Sequence, residues 1–281
     1  MFCTYWDKKY QLAAGTGLTA TSIYMIVSGI GSALSPAVMF LISDNRLEVT
    51  PYSLILAAAT VLSAAAAQLG TMKAYERGQI TVVTIFKTIG SVVISCAWGM
   101  FFLKEEVTGR QLAAIVLMLL SILIVTVQKN VKVRKSELWL LVLTTVMSSL
   151  TSVLTKQHQV EQTYATVNSP SYSFWIGVIR VVVFGAFLLF LHRKGENTHW
   201  HFPKKSLVFA SSGSLIGGVC YILTLITATV LPITITSPLG TALTIFLTAI
   251  MSRVAFREKM TKRQIVGIIL CVIAIFIFAQ E

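Results

Sequence analysis

Charged residues are scarce in this sequence. Only 12% of its 281 residues are charged and 55% are hydrophobic, whereas about 25% of a soluble globular protein is charged. A soluble protein of this length could not cover its surface with so few charges. The composition therefore excludes a soluble globular fold.

Motifs for metal, nucleotide or hydrolytic chemistry are also missing. The cysteines lie far apart and form no CxxC pair, so we expect neither a disulfide framework nor a metal site. His199 and His201 flank Trp200 without a third ligand nearby, which is typical of a loop at a membrane interface. No Gly-rich phosphate loop, HExxH or GxSxG occurs. We expect no cofactor. The four cysteines are Cys3, Cys96, Cys220 and Cys271.

Long apolar runs dominate what is present. A membrane-spanning helix needs ~20 mostly apolar residues, and nine segments qualify. The gaps between them are too short for a soluble domain, and no segment has the alternating pattern of a membrane barrel. The sequence predicts an all-α integral membrane protein. Its predicted spans are 17–42, 51–72, 80–103, 111–128, 137–156, 172–192, 206–230, 233–252 and 264–280.

The chain also contains an internal repeat. A shift of 153 residues lays 53–128 on 206–281 without a gap, and Ile80-Thr81 then falls on Ile233-Thr234. The polar stretch from Lys104 to Gln111 matches that from Arg257 to Gln264. Apolar composition alone does not produce a matching polar loop, so we infer a duplication.

Two spans precede the second copy, but only 17–42 precedes the first. We therefore predict two five-helix repeats, 1–128 and 129–281, with nine complete transmembrane helices and a partial first helix. Because five is odd, the copies would enter the membrane with opposite topology. This inverted-repeat plan places a substrate site near the midplane of many secondary transporters.

The basic residues lie mostly in the gaps between spans. The net charge of +12 is then an orientation signal at the bilayer surface, and we expect no nucleic-acid partner. Seventeen Lys and Arg fall on one predicted side and four on the other, which puts the first side in the cytoplasm and the carboxyl terminus outside. The oligomeric state, including a homodimer, stays open.

Ionisable residues inside the spans are few. None of the eleven acidic residues lies in the middle of a span, but Lys87 and Arg180 do lie within spans. A charge at membrane depth normally faces a wet cavity or a partner. Lys87 could instead reach the interface along its own apolar stem, whereas the deeper Arg180 favours a functional role.

Small hydroxyl side chains form two matched helical faces. They could line a central cavity, or they could allow close helix packing. Pro238 and Gly240 interrupt the second face, and a shorter face is predicted over 148–155. The first set is Thr81, Thr84, Thr88, Ser91 and Ser95; the second is Thr234, Ser237, Thr241, Thr244 and Thr248; the third is Ser148, Thr151, Ser152 and Thr155.

The loop shared by both copies resembles a known signature. Two stretches resemble the EamA-like signature of the drug/metabolite transporter superfamily. One is Phe-Leu-Lys-Glu-Glu followed by Thr-Gly-Arg-Gln, and the other is its counterpart from Phe256 to Gly267. The resemblance implies a ten-helix carrier of small metabolites in the bacterial plasma membrane, often an exporter. It also implies roles for Pro238 and Arg180, and both termini in the cytoplasm. The charge count disagrees with that orientation, which stays open.

The expected function is a secondary transporter of small polar or amphiphilic metabolites, such as amino acids or organic anions, working by alternating access as an exporter or exchanger. Two cations without an acid at membrane depth favour anionic or zwitterionic solutes. The alternatives are an integral membrane enzyme acting on lipid-linked substrates and a non-transporting structural membrane protein.

Overall fold

The computed structural model describes residues 10, 17–42, 46–76, 80–126, 135–193, 204–241, 243 and 262–279. Helices and short connections make up this part of the chain, and no strand occurs in it. The prediction of an all-α integral membrane protein is therefore confirmed.

Nine helices are recognisable in these ranges, and their bounds lie close to the predicted spans. The eighth begins at residue 233, and its continuously described part ends at 241. In chain order they are α1 (Leu18–Ile42), α2 (Pro51–Glu76), α3 (Ile80–Phe101), α4 (Gly109–Thr126), α5 (Lys135–Val160), α6 (Ser169–Arg193), α7 (Lys204–Val230), α8 (233–241) and α9 (Lys262–Ala279).

Several of these helices are long and apolar enough to cross a membrane. Five satisfy both criteria over described residues: Leu18–Leu41, Pro51–Gly70, Trp139–Val160, Ser169–Arg193 and Ser206–Val230. Shorter apolar helices cover Gly90–Phe101, Gly109–Ser121 and Ile265–Ala274. The chain is a multi-pass membrane protein; nine complete spans remain the prediction of the sequence.

Helix starts recur at the spacing of the sequence repeat. Pro51 and Lys204 begin α2 and α7, 153 residues apart. Gly109 and Lys262 begin α4 and α9 at the same separation. The division into repeats at 1–128 and 129–281, and their inversion, stay predictions.

Packing divides the chain into two compact units, and each contains segments of both predicted repeats. The first, which we call the α1–α6 unit, consists of Phe2–Leu62 and Leu154–Thr229. The second, which we call the α4–α9 unit, consists of Ser63–Val153 and Val230–Glu281, with Met1. The names reflect the helix pair that packs most extensively within each unit.

In the α1–α6 unit, small residues bring helix backbones together. A Cβ added to Gly177 of α6 would lie 2.7 Å from both the Ala33 nitrogen and the Gly29 oxygen of α1. Membrane helices associate through such van der Waals contact because lipid offers little hydrophobic driving force between them. An apolar core lies beside this crossing, formed by Ala57, Val61, Val167, Tyr172, Ile176 and Leu225.

In the α4–α9 unit, side chains mediate the main helix contact. Met118 of α4 and Ala274 of α9 are fully buried against each other. The Ser121 hydroxyl donates a hydrogen bond to the Gly267 carbonyl of α9. A further core cluster of Val92, Cys96 and Ile115 joins α3 to α4.

Candidate functional site

Arg180 lies on α6, partly buried within a membrane-spanning helix. Its Nη1 donates a hydrogen bond to Ser28 Oγ of α1 at 3.1 Å. A guanidinium carries five N–H donors, and Ser28 is the only hydrogen-bond partner that the described residues provide. No carboxylate in the described part pairs with it. Most of the donors of the predicted cation therefore have no partner among the described residues.

Two tyrosines, Tyr24 of α1 and Tyr221 of α7, lie within electrostatic range of this guanidinium. The Tyr221 hydroxyl lies 3.4 Å from Thr155 Oγ1 of α5, and the Tyr24 ring lies 5.1 Å from that of Tyr10. Arg180 thus has hydroxyl groups as its polar neighbours, which can join it in binding an anion without neutralising it.

His158 is a buried polar residue that the sequence analysis did not select. Its ring stacks on Tyr172 with centroids 3.7 Å apart, and its Nε2 lies 2.9 Å from Ser53 Oγ. The Gln159 amide nitrogen lies 2.9 Å from Nδ1, and the Gln159 oxygen accepts a bond from Ser169. Because that amide nitrogen can only donate, Nδ1 is the acceptor and the imidazole is neutral. With both nitrogens bonded, His158 links α2, α5 and α6 structurally.

The connection from α5 to α6 is held by carboxylates. The Thr163 amide donates to Glu161 Oε1 at 2.8 Å, and this bond, followed by one from Gln157, lowers the pKa of Glu161 to about 2. The Asn168 amide donates to Glu48 Oε2 at 2.8 Å. These bonds order the 161–168 connection beside the start of α2.

The hydroxyl faces of α3 and α8 lie in the α4–α9 unit. Ser91, Ser237 and Thr241 are partly buried, and their hydroxyls make no hydrogen bond to another described residue. Pro238 is buried in α8. Polar groups inside a membrane protein that lack a protein partner are suited to a solute or to water.

The remaining predicted candidates are not brought into this group. Ser152 is exposed on α5. Thr84, Lys87 and Thr88 belong to α3, but their side chains lie outside the described part of the structure, and so does Thr244.

The loop that carried the family resemblance has a structural role. Lys104 has a positive φ of 51°, and the Glu105 amide donates to the Gly99 carbonyl at 3.0 Å. This left-handed turn ends α3 and directs Glu105 to the start of α8. The Glu105 carboxylate accepts bonds from the amides of Ile233 and Thr234 at 2.8 and 3.0 Å.

A second part of the same loop begins α4. The Thr108 amide donates to Gln111 Oε1 at 3.0 Å, and the Gln111 amide donates to Thr108 Oγ1 at 3.3 Å. This reciprocal pair is a capping box, which satisfies two of the amides left unpaired at a helix start. The motif is therefore a joint between helices.

Metal-ligand chemistry finds no support in the described ranges. No three His, Cys, Asp or Glu side chains cluster there, and Cys96 and Cys220 are both free thiols. His199 and His201 lie outside the described residues. The two thiols serve no metal site that these residues form.

The fold is that of a multi-pass α-helical membrane protein with buried polar groups in its spans. The EamA-like transporter family matches residues 135–280, which is more than half of the chain. The protein belongs to the EamA-like transporter family, and its general role is that of a membrane transporter.

A solved structure supports the same fold over the whole chain. Its title reads only "Crystal structure of protein"; it has a TM-score of 0.75 at 11% sequence identity and covers 99% of this chain and 95% of its own. At this identity the likeness concerns the fold alone. A comparison with curated proteins finds no match.

Proposed function

We propose that this protein is a secondary transporter of small polar or amphiphilic metabolites that carry a negative charge, amino acids and organic anions among them. It works by alternating access in the plasma membrane, in bacteria the inner membrane, as an exporter or exchanger. The proposal goes beyond family membership, which establishes only a general transporter role.

The state of Arg180 carries the proposal. Burying a cation in a membrane-spanning helix is costly unless a partner or a wet cavity compensates it. Arg180 has Ser28 as its one described hydrogen-bond partner and no described carboxylate. A planar guanidinium with free N–H donors matches a carboxylate or phosphate in two-point geometry. A solute anion is the partner whose charge and shape fit.

Uncharged groups accompany the cation. Within the α1–α6 unit, Tyr24 and Tyr221 lie within electrostatic range of Arg180. Within the α4–α9 unit, hydroxyls such as Ser91, Ser237 and Thr241 form a separate set of donors and acceptors without fixed charge. We also assign Lys87 to the solute path, because it is the second cation predicted within a span. Thr84, Thr88, Thr244 and Ser152 join it because they belong to the predicted polar faces. Pro238 loosens the α8 backbone.

The proposed coupling follows from the scarcity of acids. No Asp or Glu lies in the middle of a predicted span, whereas proton-coupled carriers commonly use such a carboxyl group. We therefore propose exchange or facilitated diffusion. A counterflow assay in liposomes distinguishes exchange, because an internal solute then accelerates uptake of a labelled external one.

Arg180→Gln tests the function directly. We expect at least tenfold lower flux of anionic and zwitterionic solutes in liposomes, because a hydrogen bond to a charged group contributes about 1.5–3 kcal/mol. Arg180→Lys keeps the charge but loses the two-point geometry, so its flux should fall between those of the parent and Arg180→Gln.

Arg193→Gln is the matched control, since Arg193 is an exposed arginine at the end of the same helix. Its flux should equal that of the parent. If cationic solutes move best and Arg180→Gln leaves the preference unchanged, the proposed substrate class is wrong.

A further inference from the structure

Two buried polar atoms on α3 have no hydrogen-bond partner in the part of the chain that the structure describes. They are Ser95 Oγ and Trp98 Nε1, both closed off within the α4–α9 unit. Ser95 as a whole is 0% exposed. Buried polar groups in native proteins are nearly always hydrogen-bonded, so an unpaired one needs a specific explanation.

The behaviour of other helical hydroxyls makes Ser95 unusual. Thr60, Thr144 and Ser149 each donate to the backbone carbonyl four residues earlier, at 2.8, 2.7 and 2.8 Å. Such a bond satisfies a hydroxyl within its own helix. Ser95 does not make the equivalent bond to the Ser91 carbonyl, so its hydroxyl stays available to another molecule.

The two atoms lie on one helix face. Ser91, Ser95 and Trp98 follow spacings of four and three residues, which places them along the same side of α3. The Trp98 ring stacks on Phe102 at 4.1 Å between centroids, with 15° between the ring planes. The neighbouring Cys96 instead donates its thiol to the Thr234 carbonyl of α8 at 3.7 Å. Ser95 and Trp98 therefore lie beside the contact that anchors α3 to α8.

The chemistry of the pair specifies its ligand. An indole N–H only donates, whereas a serine hydroxyl both donates and accepts. Neither carries charge, so neither compensates an ion. A hydroxyl oxygen can accept from Trp98 and either donate to or accept from Ser95, and a carbonyl oxygen can accept from both. Such an uncharged oxygen matches the pair better than a carboxylate or an ammonium group.

We propose that Ser95 and Trp98 form a second subsite of the transporter, which binds an uncharged hydroxyl or carbonyl oxygen of the solute. This inference rests on the proposed function and concerns only the solute oxygen that the α4–α9 unit recognises by itself. A transporter working by alternating access closes its sites in one conformation and opens them in another. Both atoms are enclosed in the present conformation.

The test uses solute pairs that differ by one hydroxyl group: lactate with propionate, malate with succinate, and L-serine with L-alanine. Binding to the purified full chain is measured by the rise in unfolding temperature against solute concentration. In the parent we expect the hydroxylated member of at least one pair to half-saturate at about fivefold lower concentration, the effect of one or two net hydrogen bonds. Ser95→Ala and Trp98→Phe should each reduce this preference, and the double variant should abolish it.

Matched controls separate the subsite from general damage. Trp139→Phe and Ser211→Ala change an exposed tryptophan and an exposed, helix-bonded serine, and both should keep the preference of the parent. Without solute, Ser95→Ala and Trp98→Phe should unfold no earlier than the parent, because the fold does not use these atoms. Ser121→Ala should unfold earlier, because it removes a bond between helices.

Each contrary result has its own meaning. The subsite is refuted if solutes bind but the preference is absent in the parent or survives in both variants. If Ser95→Ala and Trp98→Phe weaken the binding of both members of every solute pair equally, the two atoms bind a buried water, and the subsite is refuted as well. Earlier unfolding of Ser95→Ala and Trp98→Phe, similar to that of Ser121→Ala, assigns the atoms to the fold. If no solute binds the parent or alters its flux, the proposed function itself fails.

Discussion

In the α1–α6 unit, polar side chains reach across helices to partners: Thr60 to Tyr172 at 3.2 Å, Ser53 to His158 at 2.9 Å, and Arg180 to Ser28 at 3.1 Å. In the α4–α9 unit, the hydroxyls of Ser91 and Ser95 on α3, and of Ser237 and Thr241 on α8, have no partner among described residues. The α4–α9 unit also has hydroxyls that connect its elements, such as Ser121 and Thr234, but it differs in having this additional set without a described partner.

The two units also differ in how their principal helix pairs meet. The α1–α6 contact brings backbone against backbone at Gly29 and Gly177, whereas the α4–α9 contact packs Met118 against Ala274. A backbone contact tolerates no added atom, while interlocking side chains can adjust their rotamers. We infer that the first contact is the more rigid and the second is better able to change. Substitutions in both units, each with a control, test this comparison.

Gly177→Ala should have the largest effect. The new methyl group would meet backbone atoms of α1 at 2.7 Å, and backbone cannot move aside as a side chain can. Overpacking of this kind costs about 1–3 kcal/mol, which should lower the unfolding temperature of the purified protein.

Gly185→Ala is the control on the same helix, since a Cβ there meets nothing within 4 Å. Alanine favours a helix over glycine by up to ~1 kcal/mol, so this variant should be as stable as the parent or more so. Equal unfolding temperatures for Gly177→Ala and Gly185→Ala would contradict the tight crossing.

Glu105→Ala should have an intermediate effect. It removes the acceptor for the two amides at the start of α8 and for the Thr234 hydroxyl. Loss of a helix cap costs about 0.5–2 kcal/mol, and the unfolding temperature measures it. The exposed neighbour Glu106 is the control, and Glu106→Ala should change little. The repeat predicts that Glu258→Ala behaves as Glu105→Ala does; unchanged stability there would argue against equivalent roles in the two copies.

Acid should have the smallest effect, through Glu161. Its pKa is lowered from 4.5 to about 2 in the folded protein, chiefly by the Thr163 amide. A carboxyl group whose pKa is lower in the folded than in the unfolded protein stabilises the fold at pH values above the unfolded pKa. This stabilisation disappears as pH falls from about 4.5 through 2. The unfolding temperature between pH 6 and pH 3 should drop less in Glu161→Gln than in the parent. Parallel pH profiles would show that this carboxylate does not order the connection.

Much of the fold was predictable from local pattern. The apolar runs 51–72 and 206–230 became helices Pro51–Glu76 and Lys204–Val230, because the thickness of a bilayer dictates the length of an apolar helix. The same reasoning selected Arg180, because a charged residue is rare in the middle of an apolar span.

The partners of these residues were not predictable. Tyr221 and Thr155 are 66 residues apart, and Ser53 and His158 are 105 apart. The position of a tyrosine or histidine in an apolar run does not indicate which distant residue it contacts. The matching polar loops indicated the family, but only the structure assigned Glu105 to the start of α8.

The sequence by itself determined the class of protein, its helices and the residue types placed within the membrane, because these follow from composition and from the 3.6-residue period of a single helix. The tertiary structure decided which hydroxyls are used between helices and which are left unpaired. Helical periodicity fixes the face on which a side chain lies, whereas the neighbour that it meets depends on the register and rotation of a helix more than a hundred residues away. Arg180 and Ser28 meet across 152 residues, and that contact defines the proposed anion site.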